Sequence, residues 1–183
     1  MEIRNLAFID AEMTGLLVDK HEIIEIGCVL VRPVPREGKG PELEVIEEIE
    51  FKIKPKKIQD ADPQALLVNG YNEADWVFAV DIKKALEILS EKTKDAVMVG
   101  HNVSFDHAFL EKAFENNGVK NQMHYRKLDT ISIAYAKLYD DGDIEKFSLR
   151  ALCEKLGVEN KKAHSALSDA RATYEVYRKL LVG

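Results

Sequence analysis

Near its N-terminus the chain reads Leu6-Ala7-Phe8-Ile9-Asp10-Ala11-Glu12-Met13-Thr14-Gly15-Leu16. The apolar run that opens this stretch predicts a buried central strand. Side chains two positions apart in a strand share a face, so Asp10 and Glu12 would project side by side from its end. Strands often end in solvated acids, so this pair becomes informative only together with other features of the chain.

The apolar pattern of the remaining chain predicts an α/β fold. Residues 23–31 form a second strand in this interpretation, residues 49–53 a third with one wet face, and residues 96–99 a strand parallel to the first. Three strands joined by loops make an antiparallel start, and the Pro- and Gly-rich segment 33–41 predicts an exposed loop. Helical spacing is found at 82–89, 109–114, 131–138, 148–156 and 167–181. We expect a mixed sheet flanked by helices, in one domain that covers residues 1–183.

Composition limits the function classes. The 183 residues include 26 Lys and Arg against 32 Asp and Glu, a net charge of −6, which argues against a protein that coats nucleic acid. We expect no membrane association, because no run of about 18 apolar residues is present. The N-terminus lacks signal-peptide features, so we expect a cytoplasmic location. Cys28 and Cys153 form no paired motif and should be buried free thiols.

A second unusual acid lies in the stretch Gly100-His101-Asn102-Val103-Ser104-Phe105-Asp106. If Asn102 or Ser104 caps the helix that follows, Asp106 falls on the apolar face with Phe109 and Leu110. A carboxylate on that face needs a positive partner, because burying it unpaired costs several kcal/mol. The alternative is a helix that simply favours an acid in its first turn.

The third stretch is His164-Ser165-Ala166-Leu167-Ser168-Asp169. Five helical residues turn by about 500°, so His164 and Asp169 can serve one site only if the histidine precedes the helix. Ser165 is a suitable N-cap and would leave His164 on the loop. Asp169 then shares its side of the helix with small residues at 166, 172 and 173, which would allow close approach to a neighbour. An apolar stripe on the opposite side is expected to be core: Leu167, Ala170, Tyr174, Tyr177 and Leu181.

Four carboxylates that converge would repel one another unless cations lie between them. All-oxygen ligands suit Mg²⁺ or Mn²⁺, and a pair of such ions about 3.5 to 4 Å apart is a common device for displacement at phosphorus. Paired Cys or clustered His, which zinc prefers, are missing from the sequence.

Together the three stretches resemble the motifs of the DEDDh, or DnaQ-like, 3′-to-5′ exonucleases, which have the ribonuclease H-like fold. The resemblance implies a mixed five-stranded sheet and release of nucleoside 5′-monophosphates from the 3′ ends of single-stranded DNA or RNA. It also implies two Mg²⁺ or Mn²⁺ ions on Asp10, Glu12, Asp106 and Asp169, with His164 as general base. An imidazole, with a reference pKa near 6.5, can be a free base at neutral pH.

The resemblance further implies a set of residues that hold the 3′-terminal nucleotide: Met13, Thr14, Gly15, Leu16, Phe105, His101 and Asn102. Leu16 and Phe105 would pack on bases, with ordinary core packing as the alternative. The turn signal at 69–71 could border the substrate. Lys161 and Lys162 could meet a phosphate or could simply be solvated.

Two subfamilies remain open. The string from Glu12 to Leu16, with Met13 in it, looks like oligoribonuclease, whereas residues 100–106 are closer to the proofreading-subunit type. We expect DNA as substrate, with degradation of short RNA as the alternative and a non-catalytic binding domain as a third reading. A proofreading subunit would need a polymerase or clamp contact, and no tail follows the last helix, so we expect a stand-alone nuclease. The net charge of −6 then predicts short, local binding that depends on metal.

Overall fold

The fold is built on one mixed five-stranded sheet, as expected. The computed structural model describes residues 3–140, 146–161 and 163–182. The strands are β1 (Leu6–Met13), β2 (Ile23–Arg36), β3 (Lys39–Lys52), β4 (Val97–Gly100) and β5 (Lys127–Asp129). They are ordered β3-β2-β1-β4-β5 across the sheet. Strands β1, β2 and β3 are antiparallel neighbours, whereas β4 runs parallel to β1 and to β5.

Six α-helices accompany the sheet. They are α1 (Pro63–Val68), α2 (Ile82–Lys92), α3 (Val103–Asn117), α4 (Thr130–Leu138), α5 (Leu149–Leu156) and α6 (Ala166–Val182), with a short 3-10 helix at Ile58–Asp60. The five helices expected from apolar spacing are all confirmed. Helix α1 and strand β5 were not placed by the sequence analysis, because elements of six and three residues are too short to show a period.

The prediction of a loop over residues 33–41 is wrong. Strands β2 and β3 continue through it as a long hairpin that turns at residues 37–38, and Pro33 lies opposite Leu43 within the ladder. Strand β1 begins opposite Val31, so the outer part of β2 pairs only with β3. A strand with one free edge accommodates proline, because the missing N–H can face away from the partner.

The sheet separates two apolar layers. Helices α2 and α3 pack on the face that carries Ala7 and Ile9, while α6 packs on the face that carries Phe8. Phe8 is fully buried there, with its ring 5.3 Å from each of the rings of Tyr174 and Tyr177. Helices α4 and α5 pack on the outer side of α6. Strand alternation therefore directs the next even-numbered side chains, at positions 10 and 12, toward the α6 side of the sheet.

Helix α6 approaches strand β2 closely at Gly27. A Cβ atom on Gly27 would lie 2.2 Å from the backbone of Ala166 and Leu167, so only glycine fits. The small residues expected on this side of the helix are buried, as the sequence predicts. Leu181 was expected in the core and is instead 41% exposed. It borders a cavity of about 700 Å³ between α6 and the tip of the hairpin, where the two elements diverge.

Both cysteines are free and buried, in agreement with the sequence analysis. Cys28 packs in the layer under α2 and α3, and Cys153 packs among α4, α5 and α6. Within the described ranges, none of the helices has the length and apolar character needed to cross a membrane.

Candidate active site

Asp10 and Glu12 lie where β1 outruns its parallel neighbour. Pairing of β1 with β4 ends at Phe8 opposite Val99, whereas pairing with β2 continues past Glu12. The strand therefore keeps its shape while one edge is left open. Both carboxylates are partly buried and follow Phe8 on the α6 side of the sheet. This is the carboxyl edge of the parallel strands, where α/β folds commonly bind ligands.

Asp106 fills the open edge of β1. Its Oδ1 accepts a hydrogen bond of 3.0 Å from the backbone N–H of Ala11, a group that β4 is too short to pair. The residue is only 5% exposed. Asp106 lies in the first turn of α3, as expected, and the helix begins after Asn102, which has a left-handed φ of 65°. The Asn102 side chain forms no cap, and the carboxylate of Asp129 accepts from Val103 N–H instead, at 2.9 Å.

Asp169 and His164 come from α6 and the loop before it. Asp169 is buried, and its Oδ2 accepts a 3.0 Å hydrogen bond from the backbone N–H of His164. That bond holds His164 at a left-handed φ of 69°, a costly conformation for a non-glycine residue. The His164 side chain is exposed. The histidine therefore precedes the helix, and its ring is free to meet a ligand.

The structure brings these side chains to one end of the sheet. Ligand atoms of Glu12, His164 and Asp169 all lie within 4.8 Å of one another. Asp10 is close enough to Asp106, Asp169 and Glu12 for all three to act on its ionisation. Asp106 lies at the open edge of β1, where it accepts from the Ala11 N–H.

Crowding of the carboxylates opposes their ionisation. Burial, and then the charges of Asp106 and Asp169, raise the pKa of Asp10 well above its usual value. Burial is also the main cause that raises the pKa of Glu12 to about 8, followed by the charge of Asp169. The pKa of Asp106 is raised to about 7, again mainly by burial. A divalent cation among these oxygens would relieve the repulsion, so this donor set fits a hard metal ion.

Three residues that hold the site together were missed by the sequence analysis. Glu25, opposite Glu12 in the β1–β2 ladder, is 4% exposed and accepts from the N–H of Ala166 at 2.8 Å. It thereby ties the start of α6 to the sheet. A glutamate inside the apolar run 23–31 was a signal that could have been used. Asn160 donates to Asp169 Oδ1 at 2.5 Å. Asp129 accepts from N–H groups in the first turn of both α3 and α4. No sequence pattern distinguishes Asn160 or Asp129 from ordinary loop residues.

A cavity of about 300 Å³ opens beside Glu12. We call it the nucleotide pocket, after the expectation from the sequence that several of its residues hold a nucleotide. It is lined by Ala11, Glu12, Met13, Gly15, Leu16, Asp62, Gln64, Ala65, Val68, Asn69 and Phe105. Leu16 is 72% exposed, which excludes ordinary core packing, and Phe105 is partly buried. Asn69 from the predicted turn lines the pocket, and its Nδ2 donates to the Met13 carbonyl at 3.0 Å.

Thr14 and Gly15 shape the loop that borders the pocket. Thr14 is 1% exposed, and its hydroxyl oxygen accepts from the N–H of Glu22 at 2.9 Å. Its side chain therefore faces the protein and not the pocket. The ring of His21 lies close to Gly15, and a Cβ atom on Gly15 would meet it at 2.4 Å.

His101, Asn102 and Lys161 lie outside the lining of the nucleotide pocket. His101 Nδ1 lies 2.9 Å from the hydroxyl of Thr130, which itself donates to the Gly100 carbonyl, so His101 braces the turn between β4 and α3. Burial lowers the pKa of His101. Asn102 is exposed. Lys161 pairs with a glutamate at 3.4 Å, and Lys162 lies outside the described residues.

The family model described as Exonuclease (RNase_T) matches residues 7–177. This chain belongs to that exonuclease family. Ribonuclease T of Shewanella frigidimarina is 31% identical, over 92% of this chain and 78% of its own length. The 3′-5′ exonuclease DinG of Staphylococcus epidermidis is 29% identical, over 94% of this chain and 18% of its own length. The exonuclease family is metal-dependent, in line with the carboxylate cluster.

Solved structures show the same fold. Exonuclease I of E. coli in complex with a dT13 oligonucleotide superposes with a TM-score of 0.75 at 19% identity. The match covers 98% of this chain and 41% of that one, so the chain spans less than half of the exonuclease I polypeptide. The expected ribonuclease H-like architecture is thereby confirmed.

Proposed function

We propose that residues 1–183 act as one 3′-to-5′ exonuclease domain that releases nucleoside 5′-monophosphates from single-stranded nucleic acid with the help of two Mg²⁺ or Mn²⁺ ions. One observation carries the proposal: Glu12, His164 and Asp169 present ligand atoms within 4.8 Å of one another. The nucleotide pocket opens directly beside them, and Glu12 belongs to both.

In this proposal Asp10, Glu12, Asp106 and Asp169 hold the ions. Their support is the donor chemistry, since all four offer oxygen atoms, and the raised pKa values of Asp10, Glu12 and Asp106. When bound, such ions would make a nearby water more acidic and would offset negative charge on the leaving oxygen. Asp106 has a second task, because its bond to Ala11 N–H keeps β1 straight where β4 ends.

His164 would take the proton from the attacking water on a ring nitrogen. Its backbone is fixed by Asp169, while its side chain is exposed, so the ring can reach a water beside the phosphodiester without moving the helix. Transfer of that proton leaves a hydroxide to form the new P–O bond. The bond to the 3′ oxygen of the shortened strand breaks, and that oxygen takes a proton from solvent to become the new 3′ hydroxyl. The released nucleotide then carries the phosphate at its 5′ position.

The nucleotide pocket would hold the terminal nucleotide. Its wall combines the exposed Leu16 side chain, the partly buried Phe105 ring and backbone at Met13 and Gly15. Apolar and aromatic surfaces accept any base by stacking, so we expect little sequence preference. Asn69 would hold the Met13 backbone in place at the edge of the pocket, through its hydrogen bond to the Met13 carbonyl.

Separate observations favour DNA and RNA as the substrate. We favour DNA, on the motif at residues 100–106 and on the fold shared with exonuclease I, which has been solved with dT13 and dA16 oligonucleotides. RNA is the second candidate, because ribonuclease T is 31% identical over 92% of this chain. A cytoplasmic location is part of the proposal and draws on the two free, buried thiols.

The test compares DNA and RNA oligonucleotides of one sequence, each labelled at its 5′ end. Incubation with Mg²⁺ or Mn²⁺ should give a ladder of products that shorten from the 3′ end, together with mononucleotides. EDTA should stop the reaction, and the faster ladder identifies the sugar. Internal cuts, or digestion that EDTA leaves unchanged, would overturn the proposal.

Two variants test the residue roles. Asp10→Asn should abolish turnover and weaken metal binding measured by calorimetry. His164→Ala should retain metal binding and the fold, because the side chain is exposed, while turnover drops by roughly 100-fold or more. Wild-type turnover in His164→Ala would remove His164 from this role.

A further inference from the structure

A third cavity, of about 280 Å³, lies between residues 18–23, the end of β3 and helix α3. We call it the lysine cavity, because five lysines line it: Lys20, Lys54, Lys56, Lys57 and Lys112. The acids in its lining are Asp19 and Glu22. The cavity wall is therefore basic, although the chain as a whole carries a net charge of −6.

The two acids of the wall neutralise only part of this charge, because five lysines face two carboxylates. One Glu22 oxygen accepts from the backbone N–H groups of Lys56 and Lys57, at 2.9 and 2.7 Å, so this carboxylate organises the loop. Asp19 pairs with Lys112 at 3.0 Å through an aspartate side chain that is 91% exposed. An exposed pair of this kind is weak and can exchange for another anion.

Three ammonium groups of the lysine cavity lack a partner among the described residues. Those of Lys20, Lys54 and Lys57 form no ion pair or side-chain hydrogen bond with any residue that the structure describes. Lys56 pairs with Asp81 at 3.3 Å. Like charges that line one cavity repel each other, so an anion placed between them is stabilised by all of them at once.

The lysine cavity adjoins the nucleotide pocket. The ring of His21 lines the lysine cavity and fills the space beside Gly15, which lines the nucleotide pocket. Phe105 of the nucleotide pocket packs edge-on against Phe109 of the lysine cavity, with ring centroids 5.3 Å apart. At both places an aromatic side chain of the lysine cavity lies against a residue of the nucleotide pocket.

We propose that the lysine cavity binds backbone phosphates of the substrate strand on the 5′ side of the terminal nucleotide, an inference that rests on the proposed function. Lys112 follows Asp106 by six residues on α3, which is about 9 Å along the helix axis. A stacked strand advances about 3.4 Å per nucleotide, so a strand that followed α3 from Asp106 would reach Lys112 after roughly three nucleotides. Lysines contact phosphates without reading sequence, as a general exonuclease requires.

The experiment compares two triple variants that carry the same change in net charge. The first replaces the unpaired lysines: Lys20→Gln, Lys54→Gln and Lys57→Gln. The control replaces three exposed lysines elsewhere, in the turn before β4, on α4 and on α6: Lys94→Gln, Lys137→Gln and Lys179→Gln. Turnover of a dinucleotide and of a twelve-nucleotide single strand is measured for both variants and the wild type, over a range of salt concentrations.

The cavity variant should cut the dinucleotide at the wild-type rate. Its KM for the long strand should rise about eightfold, because each of the three lost contacts contributes roughly twofold, while the KM of the control stays near that of the wild type. The salt dependence of log(1/KM) should lose about two units of slope, since each phosphate contact in a single strand contributes about 0.7. Equal KM values for cavity and control variants would overturn the phosphate site. Failure of the wild type to cut either substrate would instead overturn the proposed exonuclease activity.

Discussion

Gly27→Ala tests how the site is positioned with a single methyl group. Gly27 lies opposite Asp10 in the β1–β2 ladder and directly under the first turn of α6. The new Cβ would lie 2.2 Å from the carbonyl carbon of Ala166 and from the nitrogen of Leu167. Both atoms are backbone, so no side-chain rotation can relieve the clash.

The size of the effect follows from the distance. Ordinary contacts of a Cβ start at 3.4 Å, so α6 must move away from β2 by about 1 Å. Asp169 lies in this helix, and the backbone N–H of His164 donates a hydrogen bond to Asp169, so both residues would move relative to Glu12. Overpacking of this kind costs about 1 to 3 kcal/mol, and a misplacement of about 1 Å can lower turnover by roughly 100-fold.

The assay combines urea unfolding with turnover of a single-stranded oligonucleotide, at a temperature where circular dichroism shows the variant folded. Gly40→Ala on β3 is the matched control, because no atom lies within 4 Å of its added Cβ. The control should stay within about 0.5 kcal/mol of the wild type and keep its activity. Wild-type turnover in Gly27→Ala, or an equal loss in Gly40→Ala, would refute the argument that this contact positions the site.

Three further predictions concern other parts of the site. Glu25→Ala removes the acceptor for Ala166 N–H, so it should lower the free energy of unfolding by about 1 to 3 kcal/mol and reduce turnover. Glu25→Gln keeps an acceptor and should recover most of the stability and most of the turnover. Urea titrations and rate measurements on both variants test this. Burial raises the pKa of Glu12 from 4.5 to about 8, so the folded protein in EDTA keeps a proton that the unfolded chain has lost, and stability should fall as pH rises through this window. Mg²⁺ should therefore raise the melting temperature more at about pH 8 than at about pH 5.5, and equal shifts would contradict this. Leu16→Ala should raise KM for oligonucleotides several-fold and leave the melting temperature unchanged, because the side chain is 72% exposed; a large loss of stability would place Leu16 in the core instead.

The elements that could be predicted are those with a long apolar period. The helix expected over 167–181 exists because its stripe repeats over four turns, and β1 and β4 follow from unbroken apolar runs. The loop expected at 33–41 does not exist, because whether a proline breaks a strand depends on which edge is paired. Leu181 continues the apolar stripe of α6 but borders the cavity between α6 and the tip of the hairpin. A periodic pattern contains no information on the distance between a helix and a hairpin.

The candidate site divides in a similar way. Asp10, Glu12, Asp106, His164 and Asp169 could be named in advance, because the three stretches that contain them together resemble the motifs of one family. The residues that hold these side chains in place could not be named from the sequence. Asn160, Asp129 and Thr130 act through hydrogen bonds to atoms that are distant along the chain, and single residues of these types are common in loops and caps.

The sequence by itself determined the α/β class and the helices and strands with a clear apolar period, and the resemblance of its three motifs to one exonuclease family supplied the five candidate catalytic side chains. The elements follow from side-chain period, and the unusual acids are recognised by the cost of placing charges on apolar faces; both are local properties. Only the tertiary structure decided that Gly27 admits α6, that Glu25 anchors it, and that a basic cavity lies behind the nucleotide pocket. These depend on distances between segments far apart in the chain, where a shift of about 1 Å changes the result.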